Sequence, residues 1–365
     1  MGNLIYIGFF NSGKTQRYIG MASEPVVDFV AKSLLQINPK VILINISPSN
    51  KKIIFEKPHT TTWNNHDLYV IGSFKFLKFD SYKKYPKHFF KKLQKQITKD
   101  DTLILYHSLL WTSEFIKLKK SVGCKLILQV EEMYTMCWDF KKYTNEIERK
   151  EIECVDQCIF VSQKLQKQFS NKFENAPILY GNYNLCESVK TKEKKEIIKL
   201  IYAGSLEDRK IKLLIETFCL LNSNYSLSIA GGGKEEFLQN EIHKLTNEQQ
   251  NRINFLGKIS NKDLNPLLQT FDIGLCPQDS TSNYNSYSFP SKILTYLRNG
   301  LNVVSTPIDA LKDSQLSSIV NTSDEDTAQS FKKSIENCKF YTKDEISKVL
   351  NEEKNKFINE LIKII

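Results

Sequence analysis

The first residues with the makings of chemistry open the chain, where Gly8-Phe9-Phe10-Asn11-Ser12-Gly13-Lys14-Thr15 carries the spacing of a phosphate-binding loop directly after an apolar run. Such a loop aims the first amides of a helix, and their dipole, at phosphates, so a helix has to open at the Gly13-Lys14-Thr15 corner. Gly20 and Pro25 interrupt the segment after Thr15, and helical periodicity begins only after Pro25. The motif is therefore out of context for ATP, although Ser12, Gly13, Lys14, Thr15 and Arg17 still offer amides, small side chains and positive charge to a phosphate or an acceptor. Further on, two apolar runs end in ionisable residues: Thr102 to Tyr106 in His107, and Lys125 to Val130 in Glu131 and Glu132. A carboxylate so placed could orient or deprotonate a hydroxyl. It could also cap a helix or hold magnesium beside the first loop, and His107 could be a satisfied loop side chain.

A second group of candidates lies between Leu200 and Ser305. Gly204 and Ser205 follow the apolar run ending in Ala203, and the basic pair Arg209-Lys210 comes next. Gly231-Gly232-Gly233 follow Leu227 to Ala230, and Gly257-Lys258 follow Ile253 to Leu256. Tyr287-Ser288-Phe289-Pro290-Ser291-Lys292 and then Thr295 complete the group. Glycines at strand ends let backbone approach a ligand, while cations and helix-terminal amides suit a bound anion. Taken singly, Gly231 to Gly233 also fits a plain strand-to-helix turn, and Pro290 a plain helix start.

Strands must hold these residues in place. Leu4 to Phe10, Val41 to Ile46, Leu68 to Ile71, Thr102 to Tyr106, Lys125 to Val130 and Gln157 to Val161 read as buried strands separated by helix-length segments. Pro25 to Gln36 has a helical stripe behind a Ser23 cap, and Ser162 to Phe173 begins on a serine cap. After the turn-rich and charged passage Asn175 to Glu196 a second series starts. Its strands are Lys199 to Ala203, Ser226 to Ala230, Ile253 to Leu256, Ile273 to Cys276 and Asn302 to Ser305, and its helices Lys212 to Leu221, Lys234 to Leu245, Asn261 to Thr270 and Ser291 to Asn299. The pattern predicts an α/β chain of two Rossmann-like, doubly wound domains facing across a cleft, where such sheets bind ligands at the carboxyl ends of their strands. Residues 1–180 form the first domain, 181–342 the second, and 343–365 a helix that packs back on the first.

The 365 residues, 41% of them apolar and 25% charged, suit two globular domains. No apolar run approaches the roughly 18 to 20 residues that span a bilayer, and no leader precedes the first strand, so a cytoplasmic location is expected. The net charge of +10 concentrates in part between Ser81 and Lys99, with seven lysines and no acid. Tyr82, Tyr85, Phe89, Phe90, Leu93 and Ile97 interleave with them. Residues 83–99 therefore read either as a basic amphipathic helix for an anionic membrane surface or as a lysine-rich face over a core-facing stripe. No nucleic-acid module accompanies the charge, so nucleic acid is not an expected partner. Cys154 and Cys158 are spaced to share a helix face, yet without a third ligand nearby they read as thiols rather than a metal site.

The order of motifs in the second half carries a resemblance. Leu200-Ile201-Tyr202-Ala203-Gly204-Ser205-Leu206, the pair Arg209-Lys210, Ala230-Gly231-Gly232-Gly233, Phe255-Leu256-Gly257, Phe271-Asp272-Ile273-Gly274-Leu275-Cys276-Pro277 and the stretch Phe289 to Ser305 resemble the nucleotide-sugar-binding half of retaining GT-B glycosyltransferases. The bacterial family-four (group 1) enzymes of polysaccharide assembly are the nearest in pattern. In the first half only the strand order and Glu146 to Ser162 are similar. The resemblance implies hexosyl transfer from a UDP- or GDP-sugar to a glycan or lipid-linked acceptor, with no required cofactor or metal. It puts Arg209 and Lys210 on the diphosphate, Gly257 and Lys258 by the base, and Glu131 and His107 near the transferred sugar or the acceptor. One departure is plain. The two glutamates that the family carries seven residues apart are replaced by Tyr287 and Thr295. That loss leaves a silent GT-B binding protein as one alternative, and the first loop leaves a P-loop phosphotransferase as another.

Overall fold

The computed structural model describes residues 2–11, 23–48, 54–76, 79–80, 86–137, 140, 143–187, 189, 196–279 and 287–365. The loop candidates Ser12, Gly13, Lys14, Thr15 and Arg17 lie outside these residues. The helix after the first strand is described from Ser23 to Ile37, so Ser23 lies within it rather than preceding it as a cap. The chain divides into two compact units, Met1–Asn182 with Phe357–Ile365, and Tyr183–Lys356.

In the first unit the strands are β1 (Leu4–Gly8), β2 (Ile42–Asn45), β3 (Ile54–Glu56), β4 (His59–Trp63), β5 (His66–Val70), β6 (Ser73–Phe76), β7 (Phe79–Asp80), β8 (Thr102–Tyr106), β9 (Lys125–Val130) and β10 (Gln157–Phe160). The main sheet runs β10-β9-β8-β1-β2-β5-β4. All its pairings are parallel except β4 on β5. Runs such as Leu-Ile-Tyr-Ile-Gly and Thr-Leu-Ile-Leu-Tyr are buried almost throughout, as strands covered on both faces must be. Edge strand β4 escaped the sequence reading because His-Thr-Thr-Thr-Trp is polar. It joins β5 through Asn64 and Asn65, whose φ values of 46° and 65° are those of a two-residue hairpin turn. β3, β6 and β7 form a small antiparallel sheet.

Within this unit Phe29 of the helix Ser23–Ile37 meets Phe357, near the end of the long helix Lys343–Ile364, at 5.9 Å between rings. The lysine-rich stretch forms the helix Pro86–Gln94. Phe89, Phe90, Leu93 and Ile97 are buried, the first two against Trp111, while Lys91, Lys92, Lys95 and Lys99 are exposed. Its apolar stripe is thus committed to the core, which favours the reading as a lysine face over a core-facing stripe. Cys154 and Cys158 do not share a helix face, because Cys154 ends the helix Asn145–Glu153 and Cys158 sits inside β10.

The second unit holds β11 (Ile198–Ala203), β12 (Tyr225–Ala230), β13 (Ile253–Gly257), β14 (Ile273–Cys276), β15 (Asn302–Ser305) and β16 (Val320–Thr322), all parallel, in the order β13-β12-β11-β14-β15-β16. Winding outward in both directions from β11 places a switch point between β11 and β14, where side connections leave in opposite senses and a crevice opens at the strand ends. The first unit has the same kind of switch between β1 and β8.

Aspartates just ahead of three strands register both sheets. Asp101 accepts from the backbone N–H of Asn3 and Thr98, Asp156 from that of Leu126 at 2.8 Å, and Asp272 from that of Lys199 at 2.9 Å. Each ties the start of one strand to its neighbour. Among the described residues no helix is long and apolar enough to cross a membrane.

Candidate functional site

At the switch point of the second unit, β11 ends in Gly204 and Ser205. Gly204 is closed in from two sides. A Cβ on Gly231, whose φ is +150°, would lie 1.8 Å from the Gly204 carbonyl oxygen, and a Cβ on Gly204 would lie 2.2 Å from Cε of Lys292. Gly231 is therefore demanded by contact with backbone as well as by conformation, and a side chain at Gly204 would displace Lys292. Main-chain bonds lock the corner: Gly204 N–H donates to Ala230 O at 2.9 Å, Leu206 N–H to Gly232 O at 3.1 Å, and Gly231 N–H to Gly257 O at 2.8 Å. Tyr202 donates its hydroxyl to Ser205 O at 2.6 Å, and Tyr296 accepts from Ala203 N–H at 2.8 Å.

The cations at this corner differ in how they are held. Arg209 points to Asp279 and Asp326 at 2.5 and 2.6 Å, so its charge is already matched by two carboxylates. Lys210 meets Glu207 at 2.8 Å, and the same carboxylate accepts from Ser205. Lys292, the second residue of the helix Ser291–Arg298, lies across Gly204 with its Nζ 5.6 Å from the centre of the Tyr202 ring. Among the described residues no carboxylate comes within ion-pair distance of it. Burial pushes its ammonium below the usual lysine value; the Cys276 thiol opposes that, Lys210 adds to it, and Glu207 opposes it. A cation in that condition gains most from an arriving anion.

The other candidates surround this corner. The exposed Lys258 crosses Gly232 much as Lys292 crosses Gly204, since a Cβ on Gly232 would lie 1.9 Å from Lys258 Cε. Gly257, with φ +67°, has open space where a side chain would be. Tyr287, Ser288 and Phe289 lead to Pro290, the residue before the helix, which provides no side-chain cap. Thr295, expected to offer its hydroxyl to a ribose, donates it to Ser291 O at 2.9 Å and keeps only accepting capacity.

In the first unit, Glu131 sits half-buried past the end of β9. Burial raises its carboxyl to about 7, against the hydrogen bond from Gln129 and with the help of Glu132. That value is suited to proton exchange at neutral pH. His107 differs from expectation: it is fully buried and reaches no solvent. Its ring packs on Tyr134 at 5.1 Å between centroids, Nδ1 donates to Glu132 O at 3.3 Å, and Nε2 lies 3.6 Å from Glu148. Burial lowers its pKa to about 4, so it is neutral at pH 7. The imidazole braces the Glu131–Glu132 turn. Glu148, also buried, accepts from the N–H groups of Tyr134 and Thr135 and fixes the same loop from below.

Sequence reasoning missed Glu207, Asp279 and Asp326, which decide what the basic pair does, and Tyr6 and Gln129, which surround Glu131. Two signals were present. Glu207 and Lys210 are one helical turn apart, and a glutamine inside Lys-Leu-Ile-Leu-Gln-Val has to find a buried partner.

Comparison with known proteins agrees with this geometry. Residues 198–337 match the family described as Glycosyl transferases group 1. No curated protein matches the chain in sequence. Among solved structures, an OtsA apo structure superposes with TM-score 0.65 at 10% identity, covering 98% of this chain and 96% of that one. An E. coli trehalose-6-phosphate protein bound to UDP-2-fluoro glucose gives 0.62 at 10% identity over 98% and 96%. HepE of Anabaena, in complex with UDP and glucose, gives 0.59 at 12% identity over 99% and 95%. The second unit thus carries a group 1 glycosyl transferase domain over most of its length, and the chain has the GT-B fold over nearly all of its residues.

Proposed function

We propose that the chain moves a hexosyl residue from a UDP- or GDP-sugar to a glycan or lipid-linked acceptor, as in bacterial surface polysaccharide synthesis. Lys292 and Lys210, the Ser205 amide beside Gly204, and the amino end of the helix Ser291–Arg298 receive the diphosphate. As the bond from the anomeric carbon to the diphosphate breaks, its electron pair leaves with the nucleoside diphosphate, and preorganised positive charge there lowers the barrier. The acceptor oxygen forms the new bond, and Glu131 orients the hydroxyl or takes its proton. Retention at the anomeric carbon is the course that the resemblance of the second unit supports.

The observation that carries this reading is Lys292. It is a half-buried cation without a carboxylate partner among the described residues, lying over the glycine corner at the switch point of a doubly wound sheet. Such a charge is costly to keep without an anionic visitor. Calorimetric titration with UDP and GDP tests it. One of the two should bind saturably, and Lys292→Ala or Lys210→Ala should weaken binding about tenfold or more. Magnesium-dependent ATP binding that is lost in Lys14→Ala, with neither UDP nor GDP bound, overturns it.

A further inference from the structure

Next to Glu131 the first unit contains a buried polar chain to which sugar transfer gives no direct task. Gln129 is fully buried in β9, two residues before Glu131 and so on the same side of the strand. Its Nε2 donates to Glu131 Oε1 at 2.6 Å, and its Oε1 accepts from the hydroxyl of Tyr6 at 2.9 Å. Tyr6 is also fully buried, on β1, with β8 lying between the two strands. In register, Tyr6 stands level with Ile104 and Ile104 with Ile127, so the tyrosine reaches forward along the sheet to meet the amide.

An amide is asymmetric, and the difference matters here. With the Tyr6 hydrogen on Oε1, the N–H side of Gln129 must face Glu131. In that orientation the amide favours an ionised carboxylate and fixes its direction. Were the amide reversed, its oxygen would face Glu131 and favour a carboxylic acid. From this geometry we infer that Gln129 is the positioning residue for Glu131, and that Tyr6 acts through it by holding the amide with its N–H towards the carboxylate. The inference rests on the reading of Glu131 as the site carboxylate.

The surroundings make this bond count. Among the described residues the titratable groups around Glu131 are Tyr6 on β1, Tyr106 and His107 on or just past β8, Glu132 and Tyr134 in its own loop, and Glu148 from the helix Asn145–Glu153 beyond them. None is a cation at neutral pH. Gln129 is therefore the group that opposes the effects of burial and of Glu132 on this carboxyl.

The test reads the carboxyl directly. In protein labelled with 13C at the glutamate side-chain carboxyl, the Glu131 resonance is assigned by its loss in Glu131→Gln and followed against pH. Gln129→Met should move the titration midpoint upward by about one unit, the size expected from losing one charge-assisted hydrogen bond. Tyr6→Phe, which removes only a hydroxyl, should move it the same way by less, and it covers the case in which Gln129→Met does not fold. In transfer assays both variants should shift the acid limb of kcat upward with KM for the donor unchanged. An unmoved midpoint in a folded Gln129→Met or in Tyr6→Phe overturns the inference. Failure of the underlying reading looks different: Glu131→Gln would then transfer sugar normally even though the resonance midpoints still moved.

Discussion

Glu131 shows how one residue can link stability to chemistry. Its folded pKa of about 7 stands above the ordinary 4.5 of a glutamate. A raised carboxyl gives a contribution that is complete below the unfolded value and is lost as pH rises through the folded one. Glu131→Gln removes the titration, so its advantage in thermal unfolding over the parent chain should grow from pH 5 to pH 8 and then level off. The gain should be on the order of 1–2 kcal/mol, allowing for the exposed part of the side chain. A constant difference across that range would show that Glu131 is not held near its acid form. The position of this residue at a strand end could be read from an apolar run closed by two glutamates. Its proton affinity could not, because that depends on burial and on the contact with Gln129, whose amide Tyr6 meets from 123 positions away. His107 makes the converse point: the same strand-end logic applied to it, and packing on Tyr134 turned it inward.

Secondary elements were largely legible because a parallel strand buried on both faces is written as a continuous apolar run. β3, β4, β6, β7 and β16 were not, β4 being polar at an edge and β16 only Val-Asn-Thr. Element registration, however, rests on polar residues that no hydrophobic pattern reveals. Asp101 and Asp272 are each nearly inaccessible and bind main-chain N–H groups of an adjoining segment. Burial works to raise the Asp101 carboxyl, but the donors of Thr98 and Asn3 outweigh it and hold it below the usual value. With a lowered pKa, its stabilisation is present at neutral pH and is lost as pH falls through the folded value. Asp101→Ala and Asp272→Ala should each cost about 2–3 kcal/mol in urea unfolding, since each removes a buried carboxylate that accepts main-chain N–H hydrogen bonds. A loss under about 0.5 kcal/mol, typical of surface changes, would contradict the assignment.

At the scale of the whole molecule the excess of positive charge remains. Because Phe89, Phe90, Leu93 and Ile97 are committed to the core, attraction of the described part of this stretch to an anionic surface has to come from Lys91, Lys92, Lys95 and Lys99. We therefore expect binding to phosphatidylserine vesicles at low ionic strength that disappears near 0.5 M salt, and that the quadruple Lys→Gln variant lacks; each lysine contributes about 1 kcal/mol at most. Salt-resistant binding would require apolar insertion and would contradict this packing. The amino-acid order by itself determined two α/β halves, their strand succession and the glycine and basic residues of the second unit, because these depend on local periodicity and on which side chains a turn admits. Only the tertiary structure decided that Arg209 is matched by Asp279 and Asp326 while Lys292 is left over Gly204. A charge is neutralised by whatever stands within a few ångströms of it, and distance in space is what the linear order does not contain.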